Sequence, residues 1–339
     1  GTLTTKEKDS NRGRPGDASH YSPPWENGFD VCFSTEAKVP TWDPMIDPEE
    51  SGNAYGTFYW TGPNTKETEN LMGDDSRIIM DRAIPFIRKA VDADKPFFAV
   101  IWFHTPHNPV VAGQPYLEMY KDQDEDHAHY YGCITAMDEQ LGRLQSELKS
   151  LGVGDNTMLW FCSDNGPAAK NGGPGKEPGG RQQGTTGPYR GRKGSLYEGG
   201  VRVPGLLVWP EAFPEHQTID TACVTSDYLP TILDTLNLPL PVPNRPYDGL
   251  SLLPILRGER EDRPSPIAFD FQGQLALSDN RYKIYKGSNE DDYELYDLLK
   301  DPSESKDLSE DHPEILSAMK KGLNDWLESC SESQRGSDY

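Results

Sequence analysis

Two apolar segments separated by an amphipathic helical pattern constrain the fold of this chain more than any other feature. Residues 97–103 (FFAVIWF) and 157–162 (TMLWFC) are apolar runs, and residues 127–150 between them repeat apolar side chains at helical spacing. Unbroken apolar runs are typical of strands covered on both faces, and a strand–helix–strand order gives parallel strands joined by a right-handed crossover. The other elements expected in this region are two helices and a strand, at 74–92, 226–236 and 203–209. The sequence therefore predicts an α/β fold with a mostly parallel sheet flanked by helices.

The pattern changes after residue 264. Four short β-type segments with tight turns lie within residues 267–298, and a helical pattern follows at 313–329. This order predicts a small C-terminal antiparallel sheet plus helix. We therefore predict an α/β domain at 1–264, incomplete at its N-terminus, and a small α+β subdomain at 265–339. Residues 1–70 are rich in proline and have no apolar period, so we expect them to lie on another surface.

The chain is strongly acidic, which limits its partners. Its 339 residues include 33 Lys and Arg and 55 Asp and Glu, for a net charge of −22 at pH 7. This balance argues against nucleic acid as a partner. No apolar run is long enough to span a bilayer, so no membrane partner is expected. An anionic substrate would need a local basic patch, and four cations lie in a stretch without acids: Arg181, Arg190, Arg192 and Lys193. The alternative is a solvated basic loop.

Oxygen ligands follow the segment at 157–162. Asp164 and Asn165 come directly after it, and ligands collect at the carboxyl ends of strands in parallel α/β sheets. A carboxylate with an amide oxygen suits Ca²⁺, or Mg²⁺ in its place, rather than zinc or copper. The alternative for Asp-Asn-Gly is a β-turn. Because Ca²⁺ takes about six to eight oxygens, other residues would have to complete the shell.

Three further side chains are candidates for chemistry on an oxyanion. His107 stands between prolines after the segment at 97–103, where an imidazole can hydrogen-bond or protonate a reacting oxygen. His104 is a second candidate of the same kind, and for both the alternative is a structural histidine. Lys193, returned by a glycine-rich loop, can neutralise ester oxygens as a point charge, or can be an exposed loop lysine. With the metal pair, these residues predict metal-assisted hydrolysis of a sulfate or phosphate ester.

These motifs, in this order, resemble the formylglycine-dependent type I sulfatases of the alkaline phosphatase superfamily. The resemblance covers roughly residues 74–330. Five segments contribute to it: residues 106–109 (PHNP), 164–166 (DNG), 193–204 (KGSLYEGGVRVP), 226–231 (SDYLPT) and 293–302 (YELYDLLKDP). Each motif alone is short, and the set is specific.

The resemblance implies an alkaline phosphatase-like fold and a calcium-dependent sulfuric ester hydrolase. Asp164 and Asn165 would be two of the metal ligands, and His107 and Lys193 would be catalytic residues at the sulfate ester. His104 and Arg192 are expected to bind the substrate, a sulfated saccharide or another sulfate ester. In the family, hydrated formylglycine attacks sulfur before the alcohol leaves. Since sulfated glycans are extracellular, the expected location is periplasmic or secreted.

The chain departs from the family in its missing nucleophile. None of the five cysteines stands in Cys-x-Pro-x-Arg, the motif that is converted to formylglycine. The family's N-terminal aspartate pair is also missing, since Asp74 and Asp75 are predicted to begin a helix. We therefore expect a C-terminal portion of a longer sulfatase that is inactive alone. The alternatives are a phosphodiesterase or phosphonate hydrolase of the same superfamily and a non-catalytic module that binds sulfated glycans.

Overall fold

The computed structural model describes residues 22–50, 52–168, 181, 183–242, 245–288 and 292–337. The chain divides into two compact units. The first unit comprises Gly1–Trp160, Ala168–Thr185 and Leu207–Pro214, and the second unit comprises Phe161–Pro167, Thr186–Leu206 and Glu215–Tyr339. The division at residues 264 and 265 stays a prediction.

The described residues form both α-helices and β-strands. The helices are α1 (Asp75–Asp92), α2 (Gln114–Met119), α3 (Glu125–Ser150), α4 (Glu198–Val201), α5 (Tyr228–Thr235), α6 (Leu253–Leu256) and α7 (Pro313–Gln334). The strands are β1 (Trp60–Gly62), β2 (Thr65–Lys66), β3 (Leu159–Cys162), β4 (Gly205–Val208), β5 (Ile267–Phe271), β6 (Gln274–Ser278), β7 (Tyr282–Lys286) and β8 (Glu294–Asp297).

Helices α1 and α3 form the core of the first unit. Asp74 caps α1, because its carboxylate accepts a hydrogen bond from the Arg77 amide at 2.7 Å. Five fully buried side chains join the two helices: Met80, Ile84, Ile87, Leu144 and Leu148. Each contributes about 1.5–3 kcal/mol through burial of apolar surface. The predicted helix start at Asp74 and Asp75 is confirmed.

The segment at 97–103 is extended but has no ladder partner among the described residues. Phe97, Ile101 and Phe103 pack on the core between α1 and α3. The alternate side chains face solvent, and Trp102 is 84% exposed. The prediction of a strand covered on both faces is therefore wrong for this part of the structure. The period-two alternation places one face on the helices. On the other face Phe29 stacks on Phe98, but Phe98 stays 61% exposed.

Strands β3 and β4 form a two-stranded sheet. Both are shorter than the segments predicted at 157–162 and 203–209. The end of β3 sets the position of Asp164, which lies two residues after Cys162.

The C-terminal part contains the predicted antiparallel sheet plus helix. Its strands are ordered β5-β6-β7-β8, and each pairs with the next along the chain. Gln272 and Gly273 both have positive φ, 51° and 83°, as the two-residue turn between paired Phe271 and Gln274 requires. Helix α7 packs on this sheet through Met319 and Leu323.

The sequence offers Ser226 or Asp227 as the N-cap of the helix at 226–236, but Asp227 has a different role. Its buried carboxylate accepts hydrogen bonds from both terminal nitrogens of Arg263, at 2.7 and 2.8 Å, and makes no capping bond to α5. The same carboxylate accepts from the amides of Val224 and Leu250. This buried ion pair ties the start of α5 to the segment before β5.

Among the described residues, no helix combines the length and apolar character that crossing a membrane requires.

Candidate active site

The turn after β3 presents the two predicted metal ligands. Ser163 Oγ donates to the Asn165 carbonyl at 3.0 Å, and Asn165 Nδ2 donates to the Gly166 carbonyl at 3.0 Å. Because Nδ2 takes that bond, Asn165 Oδ1 is the atom of this amide left to accept or coordinate. Asp164 is exposed, and its carboxylate has no hydrogen-bond or ion-pair partner among the described residues. Both oxygens therefore fit a hard cation such as Ca²⁺ or Mg²⁺.

Two oxygens would supply only part of a coordination shell. Within the described ranges, no group of three or more His, Cys, Asp or Glu side chains is arranged to hold a metal ion. The pair therefore fits a metal whose remaining ligands come from elsewhere, as the ligand number expected for Ca²⁺ also requires.

A backbone contact between glycines joins this turn to helix α4. The Gly166 amide donates to the Gly200 carbonyl at 2.9 Å. A Cβ built on Gly166 would stand 1.9 Å from the Gly199 carbonyl oxygen, so no larger residue fits at this position. The contact fixes the end of β3 against the first turn of α4.

The predicted catalytic lysine returns to the same turn. The Lys193 amide donates to the Pro167 carbonyl at 3.1 Å, which closes the loop that begins after Gly166. The Lys193 side chain is exposed and forms no ion pair within the described part of the chain. The structure thus brings Asp164, Asn165 and the backbone of Lys193 together, and Arg192 lies half-buried beside them in sequence.

The predicted basic patch is largely neutralised. Arg181 forms ion pairs with Glu125 at 2.7 Å and Asp126 at 3.4 Å. Arg190 donates to the Tyr296 hydroxyl at 2.8 Å. The interpretation of four available cations is therefore wrong for Arg181 and Arg190, because each is engaged by side chains distant in sequence.

His107 lies in a tight turn of the first unit. Its amide donates to the His104 carbonyl at 2.6 Å, and its Nδ1 lies 2.8 Å from the Asn108 carbonyl. The Thr105–Pro106 and Asn108–Pro109 bonds on either side are cis. A neutral Nδ1–H donating to that carbonyl leaves Nε2 as the proton-accepting nitrogen of the ring.

His104 belongs to a chain of hydrogen bonds that sequence reasoning missed. Its Nδ1 lies 2.8 Å from Asp75 Oδ2 and its Nε2 lies 2.9 Å from Thr35 Oγ1. The fully buried Asp75 also accepts a hydrogen bond from the Tyr59 hydroxyl. Burial, reinforced by the Asp75 charge, raises the pKa of Tyr59 well above its usual value, so Tyr59 remains a donor. The arrangement fixes the ring with Nδ1–H toward Asp75 and Nε2 toward Thr35.

Two models of known protein families match this chain. A family model described as "Sulfatase" matches residues 19–238, and a second, described as "N-sulphoglucosamine sulphohydrolase, C-terminal", matches residues 189–330.

Individual relatives carry sulfatase names. A "Sulfatase" of Formosa agariphila is 29% identical over 282 residues, which cover 73% of this chain and 49% of that protein. An "N-acetylgalactosamine-6-sulfatase" of Canis lupus familiaris is 29% identical over 274 residues, covering 77% of this chain and 48% of the relative. The chain spans about half the length of these relatives.

Solved structures share the fold. The structure titled "Ps i-CgsB in complex with k-i-k-neocarrahexaose" is 25% identical, with a TM-score of 0.77 over 93% of this chain and 70% of that chain. A phosphonate monoester hydrolase of Agrobacterium radiobacter is 22% identical, with a TM-score of 0.51 over 76% of this chain and 60% of that chain. These likenesses confirm the alkaline phosphatase-like α/β fold.

Proposed function

Because this chain belongs to the sulfatase family, we propose that it carries one side of the active site of a sulfuric ester hydrolase. The observation that supports this most is the joined turn after β3, where Asp164, Asn165 and the Lys193 backbone meet through the Gly166–Gly200 and Lys193–Pro167 hydrogen bonds. Oxygen ligands beside a cationic loop suit a tetrahedral oxyanion bound to a hard cation.

Each candidate residue has a distinct proposed role. Asp164 and Asn165 would hold Ca²⁺, or Mg²⁺ in its place, and a cation held there would supply positive charge for a sulfate oxygen. The exposed Lys193 ammonium stabilises charge on another ester oxygen. His107 keeps Nδ1 on the Asn108 carbonyl and exchanges a proton with the leaving oxygen through Nε2.

Two residues are proposed to bind the substrate. Arg192 precedes Lys193 in the same loop and contacts sulfate or sugar oxygens. His104 has both ring nitrogens engaged, so its contact requires a substrate oxygen to replace the Thr35 hydroxyl at Nε2. Asp75 keeps its bond to Nδ1 throughout and preserves the orientation of the ring.

The nucleophile is proposed to lie outside these 339 residues. The sequence contains no Cys-x-Pro-x-Arg from which formylglycine forms, and the chain spans about half the length of its relatives. The further metal ligands have the same proposed origin. The 339 residues alone are then expected to bind metal weakly and to be inactive.

A sulfated saccharide is the proposed substrate class. Support comes from one relative, an N-acetylgalactosamine-6-sulfatase, and from a complex with k-i-k-neocarrahexaose among the similar structures. Such glycans are extracellular, so we place the protein in the periplasm or outside the cell.

Lys193→Ala in the full-length protein tests the proposed role of the lysine. Loss of a charge stabiliser is expected to lower kcat for an aryl sulfate by about 10²–10³-fold. Lys95→Ala, which removes another exposed lysine, is the control and leaves kcat unchanged. Unchanged kinetics in Lys193→Ala would remove this residue from the site.

The substrate panel separates the alternatives. Turnover of aryl sulfate above aryl phosphate and phosphonate supports the sulfatase, whereas the reverse order supports a phosphodiesterase or phosphonate hydrolase. A full-length protein that binds sulfated oligosaccharide with calcium removed and turns over none of these esters is a binding module. Aryl sulfate hydrolysis by the purified 339 residues would contradict the proposed external nucleophile.

A further inference from the structure

We propose that the antiparallel sheet β5–β8 positions Lys193 and the Asp164–Asn165 turn through two side chains, Gln274 and Lys283. The roles of Lys193 and the turn rest on the proposed function, but the contacts do not depend on it. Every residue in the argument belongs to the second unit.

Gln274, the first residue of β6, holds the backbone on both sides of Ser195. Its Nε2 donates to the Gly194 carbonyl at 2.8 Å, and its Oε1 accepts from the Leu196 amide at 3.3 Å. The Tyr285 hydroxyl donates to the same Oε1 at 3.1 Å and fixes the amide orientation. Because Gly194 follows Lys193 directly, this clamp sets the direction in which the lysine leaves the loop.

Lys283, on β7, anchors the start of α4. Its Nζ lies 2.9 Å from Glu198 Oε1 and 2.9 Å from Glu304 Oε1, and its side chain is 1% exposed. Glu304 Oε2 in turn accepts a hydrogen bond from the Glu198 amide at 2.6 Å. Burial raises the pKa of Glu304, and the Lys283 charge opposes that rise. The buried Lys283 ammonium thus binds the Glu198 side chain directly. Through Glu304 it also holds the Glu198 backbone amide at the start of α4.

From α4 the restraint reaches the metal-binding turn without another side chain. The Gly199 amide donates to the Arg190 carbonyl at 2.6 Å, and the Gly200 carbonyl accepts from Gly166 at 2.9 Å. Gly166 follows Asn165 directly. A displacement of α4 is therefore transmitted through backbone to the ligands.

Aromatic packing also holds the loop that bears Lys193 against the sheet. Tyr197 stacks on Tyr285 of β7 with ring centroids 3.9 Å apart, and the Arg190 guanidinium lies 3.9 Å from the centre of the Tyr197 ring. The Tyr197 hydroxyl donates to Glu294 of β8 at 2.5 Å. The loop bearing Lys193 thus contacts three of the sheet's four strands through β6, β7 and β8.

Gln274→Ala in the full-length enzyme provides the main test. The substitution removes two hydrogen bonds to the loop without leaving a buried charge. Since a misplacement of about 1 Å can cost 10²-fold in rate, we expect kcat to fall by about ten- to a hundredfold, with KM changed less than threefold and Tm nearly unchanged. Gln217→Ala, which removes one glutamine hydrogen bond to the Leu256 carbonyl elsewhere in the unit, is the matched control.

Hydrogen exchange on the 339-residue chain gives a readout that does not require activity. In Gln274→Ala, amides in peptides covering 189–201 are expected to exchange faster, while peptides of α7 keep their wild-type rates. Unchanged exchange and unchanged kcat together overturn the proposal. A lower Tm with unchanged kcat in the folded enzyme also overturns it, since that is a purely structural role.

A second substitution tests the anchor at α4. Lys283→Met leaves two buried carboxylates without a cation and is expected to be strongly destabilising. Glu304→Gln keeps the side-chain volume, an acceptor for the Glu198 amide and the Lys283–Glu198 pair. It is expected to speed exchange in peptides covering 161–167, and unchanged exchange there removes Lys283 and Glu304 from the proposal. An inactive wild-type enzyme with these exchange changes intact refutes the proposed function but not the positioning.

Discussion

His129 illustrates how one half-buried side chain couples the first unit to pH. Its Nδ1 accepts a hydrogen bond from the Ala112 amide at 2.9 Å, a contact that needs an unprotonated nitrogen. Burial first, and then the nearby Arg181 charge, lower the pKa of His129 to about 4. The folded state therefore favours the neutral ring.

The contribution of His129 to the unfolding free energy decreases as the pH falls. Because the folded pKa of about 4 is below the ordinary histidine value of 6.5, the stability contribution of His129 is complete above about pH 6.5 and is lost as pH falls toward 4. His129→Asn keeps an acceptor and removes the titration, so the difference in unfolding free energy between wild type and variant should shrink in that window. Urea unfolding at several pH values measures it, with His216→Asn, at an exposed position, as the control. A pH-independent difference for His129→Asn would contradict the assignment.

Asp74 titrates in an overlapping window with the opposite sign. Burial first, opposed by its bond to the Arg77 amide, raises its pKa to about 6. A raised acid pKa means that stability is lost as pH rises through about 6. Wild-type unfolding alone therefore mixes the two contributions, which is why the His129 test compares a variant with wild type.

Residues close in sequence were predictable, and those joined only by folding were not. Asp164, Asn165 and Lys193 stand beside a strand end and glycines, so local pattern was enough to propose them. Asp75 was predicted only as a helix-start residue, yet it also holds His104, which is 29 positions away. No periodicity in the sequence reports such a contact. The contacts of Arg181 with Glu125 and Asp126, and of Arg190 with Tyr296, were missed for the same reason.

At the scale of elements, Gly166 is where the turn after β3 approaches the backbone of α4 closely. Gly166→Ala would force its Cβ against the Gly199 carbonyl. We expect a loss of about 1–3 kcal/mol in unfolding free energy, typical of overpacking, and weaker metal binding. Thermal unfolding and calcium titration measure these effects.

The chain provides a matched control for that substitution. Gly142 lies within α3, and a Cβ there has no neighbour within 4 Å. Gly142→Ala should therefore stabilise the protein by up to about 1 kcal/mol through helix propensity. Equal effects of the two substitutions would show that the Gly166 contact is not restrictive.

The helices and hairpins followed local signals, whereas the body sheet did not. Strands β5 and β6 have the predicted bounds because the alternation and the Gln272-Gly273 turn are local. Residues 97–103 were predicted to be covered twice, but their composition cannot specify what lies on the second face. An apolar run indicates that a segment is buried, but it does not identify the element that covers it.

At the scale of the molecule, the first unit has a row of exposed apolar side chains. Phe98, Val100 and Trp102 are 61%, 43% and 84% exposed and alternate along one extended segment. Contiguous exposed apolar surface binds hydrophobic dyes and promotes association. The 339 residues are therefore expected to enhance ANS fluorescence in the folded state.

Trp102→Ser should lower that fluorescence substantially. Leu299→Ser is the control, since Leu299 is 70% exposed but stands outside the row. An equal decrease from both substitutions, or none from Trp102→Ser, would show that the row is not the dye-binding surface.

The bond between the Lys193 amide and the Pro167 carbonyl has a consequence for how this protein can diverge. It brings the two ends of the intervening segment together, so the backbone spacing between the Asp164 turn and Lys193 is restrained directly. Doubling the length of a loop costs only about 0.6 kcal/mol. Relatives whose chains differ in length between Pro167 and Lys193 are therefore expected to keep the same backbone spacing between the turn and the lysine.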